Sequence, residues 1–578
     1  MTGQLRRMSV GERMAELFKA EGVTTLFGPG DLTHMDLQKH AELQGINVVG
    51  PRHEAAGGFM ADAYARMTGR PQVVTGAMGP GVANMLPAAV CAAEEHVPVI
   101  FIGAQRQAVI HNAERRSRFL HASHVDKFAQ VCKYAAAIQH PCHTDDVVHQ
   151  AFRLATCGTP GPVYIEYAWD LQTAEWEFPP LTPVAKYRVV SQAAAQVDIE
   201  RAAELIREAR LPIIVAGMGV HLTRSHAALK ELARLLKCPV LTTYGGLGTL
   251  PDNDSQWLPY LVQPGHEVVG ECDVVLAVGT SAPESMNYGR QRHWERGNAA
   301  RKWILLERDV AAVGVNRDVD VPVIGDLAQT LPQLLAALRV GAEFRADPRM
   351  GKWRRAYEQY REDLEAQTPR TSPIHTARLM LETRKGIPDD AVICHDGGYT
   401  LLFQLATFER RSNDFLWASK FAHLGTGLPY ALGAQLAAGR QRRVALITGD
   451  ASFGFHIMEL ETAVRHRLPV VCVVNYDRLW GAEALAHMQH IGHLIEVEQS
   501  FVSLDRVAEA IGGHGEFVEQ AGDIAPAIQR AFASGKPSVV QVVTDPQVNA
   551  LSLPPNHLEF MSWLIGDTPR GFEADLKA

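Results

Sequence analysis

Hydrophobic positions along this chain fall into short runs separated by longer amphipathic stretches. In the first third the runs are residues 23–27, 46–50, 73–75, 98–102 and 163–167. They are rich in Val, Ile and Phe and are bounded by Gly, Pro and polar residues. Such runs read as strands buried on both faces. Between them apolar residues recur at helical spacing, as in 11–21 and 55–68. Strands alternating with helices are the pattern of a parallel sheet covered by helices on both sides.

The pattern occurs three times. A second block has strand runs at 212–216, 239–243, 274–278 and 303–306. A third has them at 391–394, 415–417, 444–447, 470–474 and 538–543. A Pro-rich stretch at 178–183 reads as a linker, and so does a Thr/Pro-rich stretch at 368–373, which follows a charged helix at 348–365. The predicted fold class is therefore α/β, with three doubly wound parallel-sheet domains at 1–180, 190–345 and 370–548. A tail, 549–578, contains Trp563 and is read as a possible lid.

Length and composition agree with this division. The 578 residues exceed the roughly 250–300 that one core supports. A net charge of −8 without basic blocks speaks against a nucleic-acid partner. The longest apolar stretch, 73–93, is broken by Gly76, Gly79, Pro80 and Gly81, short of the roughly 18 uninterrupted residues of a membrane span. Arg6 and Arg7 are not followed by an apolar run, so no signal peptide is expected. The eight cysteines are scattered and form no CxxC pair. They read as reduced, buried residues of a cytoplasmic protein rather than as zinc ligands.

The most informative chemistry lies at 444–481. One strand run leads into Thr448-Gly449-Asp450, and the next into Asn475-Tyr476-Asp477. Both aspartates then stand at carboxyl ends of neighbouring strands, where open α/β sheets bind ligands. Two carboxylates there make half of a hard-metal site, which phosphate oxygens complete. Gly449, Ala451 and Ser452 let a diphosphate approach the backbone at a helix N-terminus.

This segment is similar to the diphosphate-binding motif of thiamin-diphosphate-dependent enzymes, the superfamily of acetolactate synthase, pyruvate decarboxylase and benzaldehyde lyase. The resemblance implies Mg2+ or a similar divalent cation on Asp450, Asp477 and the carbonyl of Leu479, with Trp480-Gly481 trailing as in the family. Ala451 stands where the family usually has glycine, and Tyr476 where Asn is commoner. The N-terminal third resembles the family too. Pro51-Arg52-His53-Glu54 matches the segment bearing the activating glutamate, which makes Glu54 the acid at the aminopyrimidine. Gly79-Pro80-Gly81 and Asn84 match the glycine-rich turn of that domain. Gly397 and Gly398, after Asp396, are expected at the diphosphate. Leu424 is expected to support the bent cofactor as a bulky apolar residue. The domains become aminopyrimidine-binding, central Rossmann-like and diphosphate-binding. In the family Glu54 and Asp450 act from different subunits, so a homodimer or homotetramer is implied. Some relatives carry flavin in the central domain; Gly217-Met218-Gly219 is a weak hint of one, and FAD is not expected.

The resemblance implies a lyase, decarboxylase or carboligase acting on small 2-oxo acids, aldehydes or 2-hydroxy carbonyl compounds. His121 and Glu483 are candidate proton relays. Asp31, in Pro29-Gly30-Asp31, resembles a turn of the decarboxylases. A 2-hydroxyacyl-CoA lyase or oxalyl-CoA decarboxylase-like enzyme is the enzymatic alternative. A non-catalytic thiamin-diphosphate-binding protein is the other, and the presence of Glu54 weighs against it.

Overall fold

The structure is a computed structural model that describes residues 4–548 apart from 112, 261, 291 and 342. The tail read as a possible lid, including Trp563, lies outside the described residues. The chain packs into two units. The first comprises residues 4–190 with 420–440 and 456–468, and the second comprises 191–419, 441–455 and 469–548.

The first unit opens with β1 (Arg6–Ser9), β2 (Thr25–Phe27), β3 (Asn47–Val49), β4 (Gln72–Gly76), β5 (Val99–Gln105), β6 (Ala135–Ile138), β7 (Val163–Ala168) and β8 (Glu175–Phe178). Six of these form a parallel sheet in the order β3-β2-β4-β5-β7-β6. β1 and β8 pair antiparallel as a separate ribbon. Strands β4 and β5 are buried throughout, which explains their unbroken apolar sequence. The helix Glu54–Thr68 lies on this sheet, and the helix Gly427–Ala438 packs on it in turn. The contact is close because Gly433 has no side chain: a Cβ there would collide with the Met60 carbonyl. The helix Gly427–Ala438 has no polar stripe, as expected of one covered all round.

The second unit holds two sheets. β9 (Pro212–Ala216), β10 (Val240–Thr242), β11 (Val274–Val278), β12 (Lys302–Glu307) and β13 (Val321–Ile324) are parallel in the order β10-β9-β11-β12-β13. β14 (Val392–His395), β15 (Phe415–Leu416), β16 (Val444–Gly449), β17 (Val471–Tyr476), β18 (His514–Val518) and β19 (Ser538–Val543) follow in the order β15-β14-β16-β17-β19-β18. Gly217 and Gly219 serve loop packing in the first of these sheets, because a Cβ on Gly219 would stand 2.7 Å from Gly279 Cα.

Three details differ from the sequence reading. The linker read at 178–183 starts one residue later, at Pro179, because Phe178 is the last residue of β8. β1, β6, β8, β13 and β18 lie at sheet edges or in the outer ribbon, where half-exposed strands lose the continuous apolar run. All eight cysteines are free, but Cys142 and Cys157 are exposed rather than buried. No helix among the described residues is long and apolar enough to cross a membrane.

Candidate active site

In the first unit the carboxyl end of β3 turns through Pro51–His53 into a helix whose first residue is Glu54. The His53 ring caps that helix by accepting the Ala55 N–H. The turn is held from far along the chain. The buried Glu459 carboxylate accepts the N–H groups of Arg52 and His53, each at 3.0 Å. Burial pushes the Glu459 carboxyl up from its ordinary range. Glu54 is half-buried, and Asn84 Nδ2 donates to its Oε2 at 3.0 Å. Its Oε1 lies over Gly81, where an added Cβ would stand at 2.5 Å. Gly79 takes φ +77 and meets the backbone of Leu120, at 2.9 Å from a Cβ position to its carbonyl oxygen. Glu54, Gly79, Gly81 and Asn84 therefore share one corner at the carboxyl ends of β3 and β4.

Leu120 carries the corner on to His121. The His121 ring is half-buried beside His111, with the two Nδ1 atoms 3.4 Å apart. Burial, then the charges of Arg118, His111 and Lys127, lower the His121 pKa, so its neutral form dominates near neutral pH. His124 is buried, with neither ring nitrogen partnered, and burial lowers it to about 4. Asp31 closes its own turn by accepting the Thr33 N–H at 2.8 Å. Next to it, the buried His34 bridges the Tyr167 hydroxyl at 2.6 Å and the Gly76 carbonyl at 2.9 Å. Leu424 is half-buried in the first unit, between Ala422 and Gly425, both at positive φ. His423 donates through Nδ1 to the Leu424 carbonyl at 2.7 Å.

In the second unit β14, β16 and β17 are adjacent, and Gly449 pairs with Asn475. Asp450 and Asp477 follow those two residues and are both buried. Asp450 accepts the N–H groups of Ala451 and Arg478, each at 2.7 Å. Asp477 accepts the Leu479 N–H at 3.0 Å and Asn475 Nδ2 at 3.3 Å. Burial raises Asp450 to about 6, and burial together with the charge of Asp450 raises Asp477 to about 7. Two desolvated carboxylates, one raised further by the charge of the other, are what a divalent cation relieves. Residues 478–480 are clamped by 497–499: Trp480 donates to the Val497 carbonyl at 2.9 Å, and Gln499 to that of Arg478 at 2.8 Å.

The adjoining cradle is built from small residues. Gly397 adopts φ +100, and a Cβ there would stand 3.0 Å from Ser452 Oγ and 3.1 Å from the Gly449 nitrogen. Gly398 opens the helix Gly398–Thr407 and has nothing within 4 Å of its Cβ position. The donor set and the cleared backbone fit a metal diphosphate. Both departures from the family pattern are accommodated locally. Ala451 lies in the helix Asp450–Phe455 with negative φ. The Tyr476 hydroxyl accepts the Val502 N–H at 2.5 Å, so this side chain anchors a neighbouring loop. Glu483 lies in the first turn of the helix Gly481–His490 and is exposed. Among the described residues no group of three or more metal-ligating side chains occurs.

Glu459, Thr400 and His395 were not singled out by sequence reasoning. Thr400 Oγ1 accepts from Asn475 Nδ2 at 3.4 Å beside Gly449. The buried His395 bonds the Gly397 carbonyl at 3.1 Å. Glu459 carries no signal in the sequence, because its partners Arg52 and His53 lie 407 and 406 residues away.

Comparison with known proteins gives three family matches. Residues 8–126 match the thiamine pyrophosphate enzyme N-terminal TPP binding domain, 199–334 the central domain, and 396–542 the C-terminal TPP binding domain. The chain is 28% identical over 558 residues to an acetolactate synthase large subunit of Mycobacterium tuberculosis, covering 95% of this chain and 98% of that one. It is 27% identical over 581 residues to a sulfoacetaldehyde acetyltransferase of Alcaligenes xylosoxydans, covering 93% of each. An acetolactate synthase of Bacillus subtilis is 27% identical over 549 residues, 92% of this chain and 93% of that one.

Proposed function

Because the chain belongs to the thiamine pyrophosphate enzyme family, we propose that it uses thiamin diphosphate and Mg2+ to remodel a carbon–carbon bond beside a carbonyl. The substrate class is a 2-oxo acid or a 2-hydroxy carbonyl compound, and the acceptor is an aldehyde, a ketone or a second 2-oxo acid. The observation that carries this reading is the corner where Asn84 and Gly81 fix the carboxyl of Glu54. When bound, thiamin diphosphate supplies an acidic thiazolium carbon that stabilises an acyl carbanion.

In this reading each residue has a bounded task. Glu54 holds a proton at N1′ of the aminopyrimidine. Gly79 and Asn84 shape the turn that presents it. Asp450, Asp477 and the carbonyl of Leu479 hold the cation. Gly397, Gly398, Gly449, Ala451 and Ser452 accommodate the diphosphate. Leu424 gives an apolar support to the cofactor's bend. His121, neutral near pH 7, accepts and returns a proton at the substrate oxygen, and Glu483 and Asp31 are further proton carriers. The domain limits stay at 1–180, 190–345 and 370–548, and the working form is a homodimer or homotetramer in the cytoplasm. Sedimentation that finds a fully active monomer removes the oligomeric part.

The similarity to acetolactate synthases and a sulfoacetaldehyde acetyltransferase favours transfer of a two-carbon acyl group. The test is carbon dioxide release and acyloin formation from a panel of 2-oxo acids, with aldehydes, ketones or a second 2-oxo acid as acceptors. Protein with thiamin diphosphate demonstrably bound, yet with no turnover of any 2-oxo acid or acyloin, defeats the reading.

A further inference from the structure

The second unit contains a cavity of about 40 Å3 away from the aspartate pair. Its wall includes Trp257, Tyr260, Tyr357, Arg361, Phe408 and Arg410. Tyr357 and Arg361 come from the helix Met350–Gln367, and Phe408 and Arg410 follow the helix Gly398–Thr407.

Two donors in this wall lack an acceptor. Arg410 is buried and its guanidinium pairs with Asp252, Nη2 to Oδ2 at 2.7 Å and Nε to Oδ1 at 3.3 Å. Its remaining nitrogen, Nη1, is buried with no partner. The indole N–H of Trp257 is likewise buried and unpartnered. Arg361 adds a second guanidinium, held by a hydrogen bond to the Thr407 carbonyl. Among the described residues no Asp or Glu lines the cavity. Buried donors are nearly always satisfied, and unmatched ones call for a partner. A water molecule accepts such bonds but brings protons of its own into a wall already rich in donors. An oxyanion accepts only. The volume takes a few water-sized groups, the scale of a small oxyanion.

We propose that this cavity binds a small oxyanion, a carboxylate or a phosphate, between Arg361, Arg410 and the indole of Trp257. The guanidinium of Arg410 then uses its outer edge on Asp252 and its inner nitrogen on the ligand. The site is separate from the cofactor machinery and does not depend on the catalytic reading.

The test is thermal unfolding of the full chain saturated with thiamin diphosphate and magnesium, so that the diphosphate cradle is filled. Sodium acetate and sodium phosphate are titrated separately, with sodium chloride holding ionic strength constant. The expected result is a saturable rise in Tm, and the salt that saturates names the oxyanion. Trp257→Phe removes the N–H together with part of the ring and raises the half-saturating concentration at least about threefold. Arg361→Met raises it at least about tenfold, the scale of a lost charged hydrogen bond. Neither variant changes thiamin diphosphate affinity. No saturable rise with either salt overturns the proposal, because the cavity then holds water alone. Wild-type half-saturation in either folded variant also overturns it, because the anion then binds elsewhere. If Arg361→Met does not fold, Trp257→Phe decides.

Discussion

Glu54 stands in the first turn of a helix, yet its side chain is fixed by residues distant in sequence. Asn84 orients one oxygen, Gly81 clears room for the other, and Glu459 holds the two backbone N–H groups before it. The pattern Arg52-His53-Glu54 was legible as sequence, but the clamp from Glu459 was not, because it spans 407 residues. Two substitutions separate chemistry from scaffold. Glu54→Gln keeps the hydrogen-bonding shape and loses the titratable proton, so thiamin diphosphate affinity stays near wild type. Exchange of the cofactor's C2 proton, followed by NMR after rapid quench, falls by at least about a hundredfold, the scale of a general acid–base contribution. Gly81→Ala pushes the carboxyl aside and lowers kcat by at least about tenfold, since small misplacements are costly in catalysis. Its far-ultraviolet spectrum stays unchanged. Wild-type exchange in Glu54→Gln removes Glu54 from the proposed role.

At the scale of elements, the central strands β4, β5, β16 and β17 were readable because burial on both faces demands continuous apolar runs. The edge strands β6, β13 and β18 were not. β6 is largely alanine, β13 contains Pro322, and β18 carries Gly515 and Glu516, so none shows the continuous Val/Ile run of a central strand. The packing of the helix Gly427–Ala438 on the helix Glu54–Thr68 was not legible. That pairing depends on a buried polar network. Arg66 bonds Asp62 at 2.6 Å and the Tyr430 hydroxyl at 3.1 Å, and lies 3.8 Å from Glu95. Glu95 in turn accepts the N–H groups of Lys420 and Phe421. Arg66→Met leaves two buried carboxylates facing each other and destabilises the protein by about 3–5 kcal/mol. Adding Asp62→Asn to that variant recovers part of the loss. Urea denaturation of the single and double variants measures both. A double variant no more stable than Arg66→Met shows that Asp62 is not the stranded charge.

For the whole molecule, opposing groups set the dependence of stability on pH. Burial holds His395 near 3 and His456 near 4 in the folded chain. Their unfolded values lie near 6.5, so each contributes stability above that pH that is lost as pH falls, on the order of 3 kcal/mol at full effect. Asp450 and Asp477 act the other way. Their folded values, about 6 and about 7, exceed the ordinary carboxylate value of 3.8. Their stabilising share is present below that value and is lost as pH rises through 6 to 7. A divalent cation with a diphosphate removes this second effect, because it binds the ionised pair and displaces the protons. The difference in Tm between protein with thiamin diphosphate and Mg2+ and protein in EDTA therefore widens from pH 5 to pH 8. Asp477→Asn leaves one carboxylate, which no longer meets a second charge. The EDTA form of that variant is then at least as stable as wild type at pH 8, while the gain from cofactor and metal shrinks at every pH. Scanning calorimetry at fixed ligand excess reads all four curves. A gap that is constant with pH in the wild type, or a variant that gains as much as wild type, means that these two carboxylates do not hold the metal.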